Sequence, residues 1–349
     1  MKKYEQVAAD IRDNILSGRY AEGQTLPTED ALSADYNVSR QTIRHALALL
    51  VDEELISKRQ GSGSTVIAPS AHEKTRTIAV VATYLDDYIF PSQLRAVEEV
   101  LSANRYQAFI AATKNQVYNE RAVLEELLNR PVDGILIEGT KTAMPNPNFD
   151  LYARLINRQI PIVFFNSNYP ELDGTISVCA DNFGGGYALV KHLLEKGHTK
   201  IAGIFKSDDI QGHQRYSGYI TALRDAGLLV PDERVIWYTT ETRKSIFKHA
   251  ENTLRRFGDS TAVVCYNDDI ALSLIRFLNS QSKRVPEDFA VAGFDNSSLS
   301  EISNVRITSL SYGENNIGRI AAQKLVDLLA GKKVQSEAVK WILEQKEST

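Results

Sequence analysis

Two hydrophobic patterns divide this chain of 349 residues. In residues 1–68, apolar side chains recur at every third or fourth position, which is the period of amphipathic helices. The two clearest apolar faces are Val7, Ile11 and Ile15, and Ile43, Ala46, Leu47 and Leu50. From Ile78 onwards, short continuous apolar runs alternate with amphipathic segments, so a domain of different architecture is expected there.

The N-terminal pattern predicts three helices and a β-hairpin. Thr28 and Ser39 precede the second and third helices, and each hydroxyl can accept hydrogen bonds from free backbone N–H groups of the first turn. Strands are predicted at residues 56–59 and 65–68, with a Gly-Ser-Gly tip between them. This order of elements predicts a winged helix-turn-helix DNA-binding domain over residues 1–69, followed by a polar linker at 70–76.

The C-terminal pattern predicts an α/β fold. Apolar runs rich in β-branched residues alternate with helical segments, which is typical of parallel sheets covered on both faces. Residues 77–349 contain enough units for two lobes, each with a doubly wound parallel sheet. The polar stretch at 166–174 is predicted to lead from the first lobe to the second, and the glycines at 184–186 to form a strand-to-helix turn. Ligands of such folds bind in a cleft at the C-terminal ends of the strands.

Composition narrows the class of protein. No apolar run approaches the roughly 18 residues of a membrane span, and the N-terminus lacks the apolar core of a signal peptide, so a cytoplasmic protein is expected. The formal net charge is −4, so contact with nucleic acid must depend on local placement of basic residues. Neither Cys179, Cys265 nor the six histidines have metal-site spacing, and no cofactor is expected.

The third predicted helix carries polar side chains on its exposed first turn. A helix that enters a major groove presents these positions to base edges, while a wing tip of small residues can approach a minor groove. The candidate DNA contacts are Ser39, Arg40, Gln41, Thr42 and Arg44 on the helix, Gln60, Gly61 and Ser62 at the tip, and Lys3 before the first helix. For the arginines, the alternative is that they are solvated surface charges.

Polar residues at or after the ends of predicted strands form a second candidate set. They are Glu138, Asn166, Lys206, Gln211, Arg215, Asn267 and Asp295. Carboxylates, amides and basic groups that meet in a cleft can bind a polyhydroxylated ligand, because each ligand hydroxyl both donates and accepts hydrogen bonds. Tyr84 and Tyr312 could cover the apolar face of a sugar ring. For each residue taken alone, capping a helix or closing a turn is an alternative role.

The segment LPTEDALSADYNVSRQTIRHALALLVDEELISKRQGSGSTV resembles the winged-helix domain of the gluconate-repressor (GntR) family. The match lies in LP-x-E, V-S-R-x-T-x-R and the G-x-G wing, and Glu29, which belongs to the first of these motifs, is a further candidate DNA-binding residue. Many family members have arginine at the position of Asp30. By this resemblance, contacts with operator DNA are implied for Arg40, Thr42, Arg44, Gln60 and Gly61.

Residues 77–349 resemble the effector domain of the lactose- and galactose-repressor (LacI/GalR) family in HLLEKGHTKIAGI, CYNDDIAL and VPEDFAVAGFDNS. That resemblance implies sugar-binding positions at Asn166, Arg215, Asn267 and Asp295. The combination of both domains resembles the arabinose-responsive repressors of Gram-positive bacteria, which implies L-arabinose as effector. On the same ground, sugar contacts are implied for Glu138, Lys141, Lys206 and Gln211.

These patterns together predict a homodimeric transcriptional repressor rather than an enzyme. It is expected to bind a palindromic operator in double-stranded DNA and to be released by a small sugar, L-arabinose, which would place arabinose utilisation genes under its control. One alternative is a winged helix fused to a pyridoxal-phosphate enzyme, which requires a Schiff-base lysine. Others are a regulator that responds to a different sugar and a transport binding protein.

Overall fold

The N-terminal segment folds as three helices and a two-stranded wing in the computed structural model. The structure describes residues 2–16, 19–53, 55–59, 63–67, 75–86, 89–229 and 232–349. The N-terminal elements are α1 (Lys3–Leu16), α2 (Glu29–Asp35), α3 (Arg40–Asp52), β1 (Ile56–Arg59) and β2 (Gly63–Val66). The chain forms two compact units, one of Met1–Thr75 with Ala153–Ile160 and one of Arg76–Tyr152 with Pro161–Thr349, and the elements before and after Thr75 are described separately. Most of the linker predicted at 70–76 lies outside the described residues.

The predicted caps and apolar faces of the winged helix are confirmed. The hydroxyl of Thr28 accepts a hydrogen bond from the backbone of Ala31, and that of Ser39 accepts one from Thr42, each at 3.2 Å. Both predicted apolar faces are buried in one core, which also contains Leu32. Full burial of such a side chain stabilises a fold by about 1.5–3 kcal/mol, so these faces hold the small domain together.

The second wing strand begins two residues earlier than the sequence predicts. Ile56 pairs with Val66, and the same antiparallel register continues to Arg59 and Gly63. Gly63 has a φ of 79°, which glycine adopts readily at the end of a tight turn. The prediction was therefore wrong in assigning Gly63 to the tip, and residues 60–62 lie outside the described residues.

The first lobe of the second part is built on a parallel sheet. Its first elements are β3 (Thr77–Ala82), α4 (Phe90–Ala103), β4 (Gln107–Ala112), α5 (Val117–Asn129), β5 (Gly134–Ile137), α6 (Phe149–Asn157), β6 (Ile162–Asn166) and β7 (Ile176–Ala180). Continuous apolar strands such as β5 and β6 are buried along their whole length, as expected for a sheet covered on both faces. The strand order reverses at β3, which lies between β4 and β5.

The second lobe repeats this architecture. Its elements are α7 (Asn182–Glu195), β8 (Ile201–Lys206), α8 (Ile210–Asp225), β9 (Val235–Tyr238), α9 (Ala250–Phe257), β10 (Ala262–Cys265), α10 (Asp268–Ser280), β11 (Ala290–Phe294), α11 (Ser298–Ile302) and β12 (Thr308–Ser311). The last elements are α12 (Ile317–Leu329), β13 (Glu337–Val339) and β14 (Ile342–Glu344). Two doubly wound sheets are therefore confirmed, and among the pairings that the structure describes within these two sheets, only that of β14 with β12 is antiparallel.

The chain passes between the lobes later than predicted and more than once. After the polar stretch at 166–174 it forms β7, which pairs with β6 in the first sheet, so the predicted crossing there was wrong. The first crossing follows Ala180. Helix α12 then joins the core of the first lobe, β13 pairs with β7, and β14 joins the second sheet. Each lobe is therefore built from separate parts of the sequence.

The glycines at 184–186 do not form the predicted turn. They lie in the first turns of α7, whose N-cap Asp181 accepts a 2.8 Å hydrogen bond from the backbone of Gly184. A Cβ on Gly186 would collide with the carbonyl oxygen of Arg215 in α8, and one on Gly218 would collide with that of Phe183 in α7. These glycines allow two helices to pack backbone against backbone, a reason that local sequence does not reveal.

Candidate functional site

One cavity collects polar side chains from the C-terminal ends of strands in both sheets. From the first lobe it receives Thr83 and Tyr84 after β3, Glu138 after β5 and Asn166 at the end of β6. From the second lobe it receives Lys206, Thr240, Tyr266, Asn267 and Asp295, which end or follow β8, β9, β10 and β11. The cavity has a volume of about 80 Å³, and this location is where open α/β sheets bind ligands.

The structure brings together nine of the ten cleft residues that the sequence singles out. They are Tyr84, Glu138, Asn166, Lys206, Gln211, Arg215, Asn267, Asp295 and Tyr312. The tenth, Lys141, is not among the residues that line the cavity. Its ammonium group instead forms an ion pair with the carboxylate of Glu241, so the expected position of Lys141 in the cavity is corrected.

Glu138 is buried and fixed by a single neighbour. One of its carboxylate oxygens accepts hydrogen bonds from the backbone N–H of Thr83, at 2.9 Å, and from the hydroxyl of Thr83. Burial raises the pKa of Glu138 to about 7, although the Thr83 hydrogen bonds act against this rise. Glu138 therefore changes its charge near neutral pH while its orientation is held by the end of β3.

Asn166 is held by a reciprocal pair of amide hydrogen bonds. Its Nδ2 donates to Gln93 Oε1 at 2.8 Å, and Gln93 Nε2 donates to Asn166 Oδ1 at 3.1 Å. Both residues are buried. Gln93 lies in the first turn of α4, where sequence reasoning gave no reason to suspect it. The pair orients the side chain that ends β6, and part of the hydrogen-bonding capacity of Asn166 is used within the protein.

Each of the three basic side chains that line the cavity faces a carboxylate. Lys206 Nζ lies 2.6 Å from Asp209 Oδ2, and Arg243 Nε lies 2.8 Å from Asp269 Oδ2. Arg215 Nη2 lies 3.7 Å from Asp295 Oδ1. The basic residues of the cavity lining are therefore Lys206, Arg215 and Arg243. Burial by itself would lower the pKa of Lys206, but the nearby Asp209, Tyr266 and Asp208 outweigh it and raise that pKa, so the ammonium stays charged.

Arg215 is held on several sides. Its Nε donates to Asn182 Oδ1 at 2.9 Å, and its Nη1 donates to the backbone carbonyl of Tyr266. The guanidinium carbon lies 4.2 Å from the ring centre of Phe294 and 5.5 Å from that of Trp341, which is within the range of cation–π attraction. These contacts fix a planar donor group at the wall of the cavity.

Two strand ends at the cavity have unusual backbone conformations. Asn166 has a φ of 59° and Asp295 a φ of 94°. Residues other than glycine rarely adopt positive φ, and the cost is of order 1–3 kcal/mol where the surrounding structure enforces it. Such strain concentrates at ligand-binding positions, which agrees with the place of both residues at the ends of β6 and β11.

Several cavity residues were not predicted from the sequence. The rule that polar residues at strand ends line the cleft would also have selected Thr83, which directly follows β3. Thr240 and Arg243 were missed because the strand before them, β9, was not recognised. Asp209 precedes α8 and reads as an ordinary helix N-terminus.

The candidate DNA-reading residues lie on an exposed turn of α3. Ser39, Arg40, Gln41 and Arg44 are exposed, Thr42 is half-buried, and Lys3 is exposed at the start of α1. Gln60, Gly61 and Ser62 lie outside the described residues. The first turn of α3 therefore presents the predicted set of hydrogen-bonding side chains to solvent.

Glu29 forms ion pairs with both α3 and the wing. One of its oxygens lies 2.7 Å from Arg44 Nε and the other 2.8 Å from Lys58 Nζ. Hydrogen bonds from Lys58 and then from Arg44 lower the pKa of Glu29. Arg40 forms a second pair with Asp30. Because these pairs are largely exposed, each contributes little to stability, but they restrict where the two arginine side chains point.

Neither a metal site nor a membrane span is found among the described residues. Across the described ranges, no three His, Cys, Asp or Glu side chains come together as a possible metal site. Within the same ranges, no helix has the length and apolar character needed to span a membrane.

Comparison with known proteins identifies both parts of the chain. Residues 3–66 match the model of the bacterial regulatory proteins of the gntR family, and residues 190–349 match that of the periplasmic binding protein-like domain. The arabinose metabolism transcriptional repressor of Halalkalibacterium halodurans is 37% identical over 338 residues, which cover 94% of this chain and 89% of the relative. This chain belongs to the family of arabinose metabolism transcriptional repressors.

A second member of that family shows the same extent of similarity. The repressor of Geobacillus stearothermophilus is 36% identical over 96% of this chain and 93% of its own length. The family consists of transcriptional repressors with a DNA-binding and a sugar-binding domain, so the predicted regulator is confirmed and the enzyme alternative is not. This architecture implies operator DNA and a sugar effector as partners.

Solved structures show how common this fold is among regulators. The structure described as a complex of the transcriptional regulator CelR with cellobiose has a TM-score of 0.72 and 24% identity, and covers 93% of this chain and 100% of CelR. CcpA of Lactococcus lactis has a TM-score of 0.69 and 26% identity over 78% of this chain and 98% of its own. These similarities confirm the two-lobed fold.

Proposed function

We propose that this repressor binds as a homodimer to a palindromic operator of arabinose utilisation genes and is released when L-arabinose occupies the cavity. In this proposal, residues 1–69 form the DNA-binding domain and residues 70–76 form a linker. Residues 77–349 bind the sugar and form the dimer interface. The repressor works in the cytoplasm, where its operator is. The names of the two relatives that are 36% and 37% identical support arabinose as the regulated nutrient.

The observation that carries the proposal is the pairing of charges around the cavity. Lys206, Arg215 and Arg243 each face a carboxylate, so the lining presents many donors and acceptors without a strong excess of either sign. A neutral polyol suits such a lining, because its hydroxyls both donate and accept hydrogen bonds. Tyr84 and Tyr312 add aromatic surface, against which the C–H face of a sugar ring can pack.

The size of the cavity favours a monosaccharide. A water molecule needs about 10–15 Å³ of such space, so the 80 Å³ of this cavity holds roughly five to eight water-sized groups. A pentose is closer to this size than a disaccharide is. Direct contacts are proposed for Glu138, Asn166, Lys206, Gln211, Arg215, Asn267 and Asp295.

Release from DNA requires that the sugar favour one state of the repressor. L-arabinose must bind the state of low operator affinity more tightly than the state of high operator affinity, and couplings of about 1–3 kcal/mol are typical. A homodimer presents two copies of α3 to an operator with two half-sites. The centres of the half-sites are expected roughly 10 base pairs apart, or at a multiple of that distance, so that both copies face the same side of the duplex.

Calorimetric titration of the full-length protein tests the proposed effector. L-arabinose, D-xylose, D-galactose and D-ribose are compared under one set of conditions. The proposal expects L-arabinose to bind most tightly in the wild type, and Asp295→Asn to weaken that binding. If another of the four sugars binds more tightly, that sugar and not L-arabinose is the effector. If none of the four sugars binds, the proposed sugar site is refuted.

A further inference from the structure

Polar contacts join the two lobes beside the cavity as well as within it. In the first lobe they involve residues 115–116 after β4 and 141–143 after β5. In the second lobe they involve residues 208–210 after β8 and 240–241 after β9. We call these residues the interlobe latch. Its contacts across the cleft are Asn115 with Asp209 and Thr240, Gln116 and Lys141 with Glu241, Thr142 with Ile210, and Ala143 with Asp208.

Asn115 is the most deeply buried member of the latch, with 1% of its surface exposed. Its Nδ2 donates to Thr240 Oγ1 at 2.7 Å and to Asp209 Oδ1 at 3.2 Å. Its Oδ1 accepts a 2.8 Å hydrogen bond from the backbone of Lys141. One amide therefore ties a loop of its own lobe to two residues of the other lobe.

The backbone at the latch is held in an uncommon conformation. Lys114, Asn115 and Lys141 have φ values of 53°, 51° and 45°. Left-handed backbone at residues other than glycine persists where surrounding contacts enforce it, and it concentrates at ligand clamps and switch regions. The position of these residues between the two lobes agrees with such a role.

Asp209 connects the latch to the cavity. Its Oδ1 accepts from Asn115 in the opposite lobe, while its Oδ2 accepts from Lys206 Nζ at 2.6 Å. Asp209 and Lys206 both line the cavity, whereas Asn115 does not belong to its lining. The carboxylate of Asp209 thus links a cavity ammonium group to an amide that belongs to the other lobe.

We infer that Asn115 and Asp209 are positioning residues that couple closure of the lobes to the placement of the Lys206 ammonium in the sugar cavity. This inference rests on the proposed function of the cavity as a sugar site. When the lobes are closed, Asn115 fixes one oxygen of Asp209, and the other oxygen fixes Lys206. When the lobes open, Asp209 loses the hydrogen bond from Asn115, and the carboxylate that holds Lys206 is then no longer fixed by the other lobe. A sugar that binds the fixed ammonium therefore favours closure.

The variant Asn115→Asp breaks this connection with little change in shape. The new carboxylate keeps an oxygen for the backbone of Lys141 and tolerates the left-handed conformation as asparagine does. It replaces the donor that faces Asp209 with a second negative charge. The matched control is Gln116→Glu, which places like charges at another contact across the cleft, with Glu241, at the exposed edge of the latch and without contact to Asp209.

Calorimetric titration of the full-length variants with L-arabinose tests the coupling. We expect Asn115→Asp to raise the dissociation constant about tenfold or more, within the range of typical couplings, and Gln116→Glu to raise it much less. Wild-type affinity in Asn115→Asp would overturn the inference. If Gln116→Glu weakens L-arabinose binding as much as Asn115→Asp does, the inference is also overturned, because loss of any contact across the cleft would then have the same effect.

Thermal unfolding without sugar separates failure of the latch from failure of the proposed function. Asn115→Asp is expected to lower the melting temperature, and adding Asp209→Asn is expected to restore part of the loss, because the new amide can donate to the new carboxylate. Absence of any recovery would overturn the latch. Recovery in a protein whose wild type binds none of the four sugars would leave the latch intact and refute the sugar site, and with it the coupling to sugar.

Discussion

The side-chain amide of Gln211 donates a 2.7 Å hydrogen bond to the backbone carbonyl oxygen of Asn166. Gln211 belongs to α8 of the second lobe and Asn166 ends β6 of the first, so this bond crosses the cleft. The amide oxygen of Gln211 accepts a 2.8 Å hydrogen bond from the hydroxyl of Tyr266. Both ends of the amide are therefore engaged, which fixes the side chain at the wall of the cavity.

Gln211→Ala is expected to weaken both sugar binding and the closed arrangement of the lobes. Loss of the amide leaves the Tyr266 hydroxyl and the Asn166 carbonyl oxygen without this partner, and such losses cost about 1–3 kcal/mol for each buried group. The dissociation constant for L-arabinose should rise by tenfold or more, as measured by calorimetry. Gln323→Ala, at an exposed position of α12, serves as control. Equal affinities in all three proteins would contradict the assigned role.

Arg44→Ala is expected to weaken operator binding by about 1–3 kcal/mol if Arg44 contacts a base. The affinity for sugar should not change, because the substitution lies in the winged helix. Fluorescence anisotropy with a labelled operator measures the first effect, and calorimetry checks the second. Arg121→Ala removes an exposed arginine of the sugar-binding part and should leave operator affinity unchanged. If both variants bind the operator as tightly as the wild type, Arg44 does not read DNA.

The raised pKa of Glu138 predicts that stability falls as pH rises. Burial raises the pKa of Glu138 to about 7, above the roughly 4.3 of an unfolded glutamate. Between these two values the folded protein binds more protons than the unfolded chain. The contribution of Glu138 is thus fully present below the unfolded pKa and is lost as pH rises through about 7, with an upper limit of about 4 kcal/mol.

Glu138→Gln isolates this contribution. The variant cannot ionise at this position, so its free energy of unfolding should fall less than that of the wild type between pH 5 and pH 8. Chemical denaturation at several pH values within this window measures the difference. Asp268, whose pKa burial also raises to about 7, is present in both proteins and cancels in the comparison. Parallel pH profiles would show that Glu138 does not titrate in this range.

Asp295→Asn is expected to abolish induction and to preserve repression. Asparagine tolerates the φ of 94° at this position better than alanine does, so the variant removes the charge that faces Arg215 without adding backbone strain. The operator should be bound as by the wild type but no longer released at a sugar concentration that releases the wild type. Loss of operator binding in a folded variant would contradict the assignment of Asp295 to the sugar site.

Local sequence patterns were sufficient for much of the fold and the cavity. Runs such as IAVVA and GILI are apolar throughout because both faces of their strands are buried, so β3 and β5 could be recognised from sequence alone. Polar residues at the ends of such strands, including Glu138 and Asn166 in the first sheet, then converge because parallel strands end at one edge of the sheet.

Features that depend on contacts distant in sequence could not be predicted in this way. The short strand β13 lies more than a hundred residues after its partner β7, and β14 follows its partner β12 only after the whole of α12 and β13; both become strands only through these pairings. Gly186 is required by the backbone of α8 rather than by its own turn. Lys141 was expected in the cavity, but its place is set by Glu241, a residue that follows an unrecognised strand.

Release of a labelled operator by L-arabinose tests the central claim most directly. The operator duplex is first selected from a random library by the full-length protein, and its anisotropy is then followed during a sugar titration. We predict that saturating L-arabinose raises the operator dissociation constant by roughly 5- to 150-fold, and that Asp295→Asn shows no such rise. An operator affinity that is unchanged when calorimetry shows the cavity to be saturated would contradict the account.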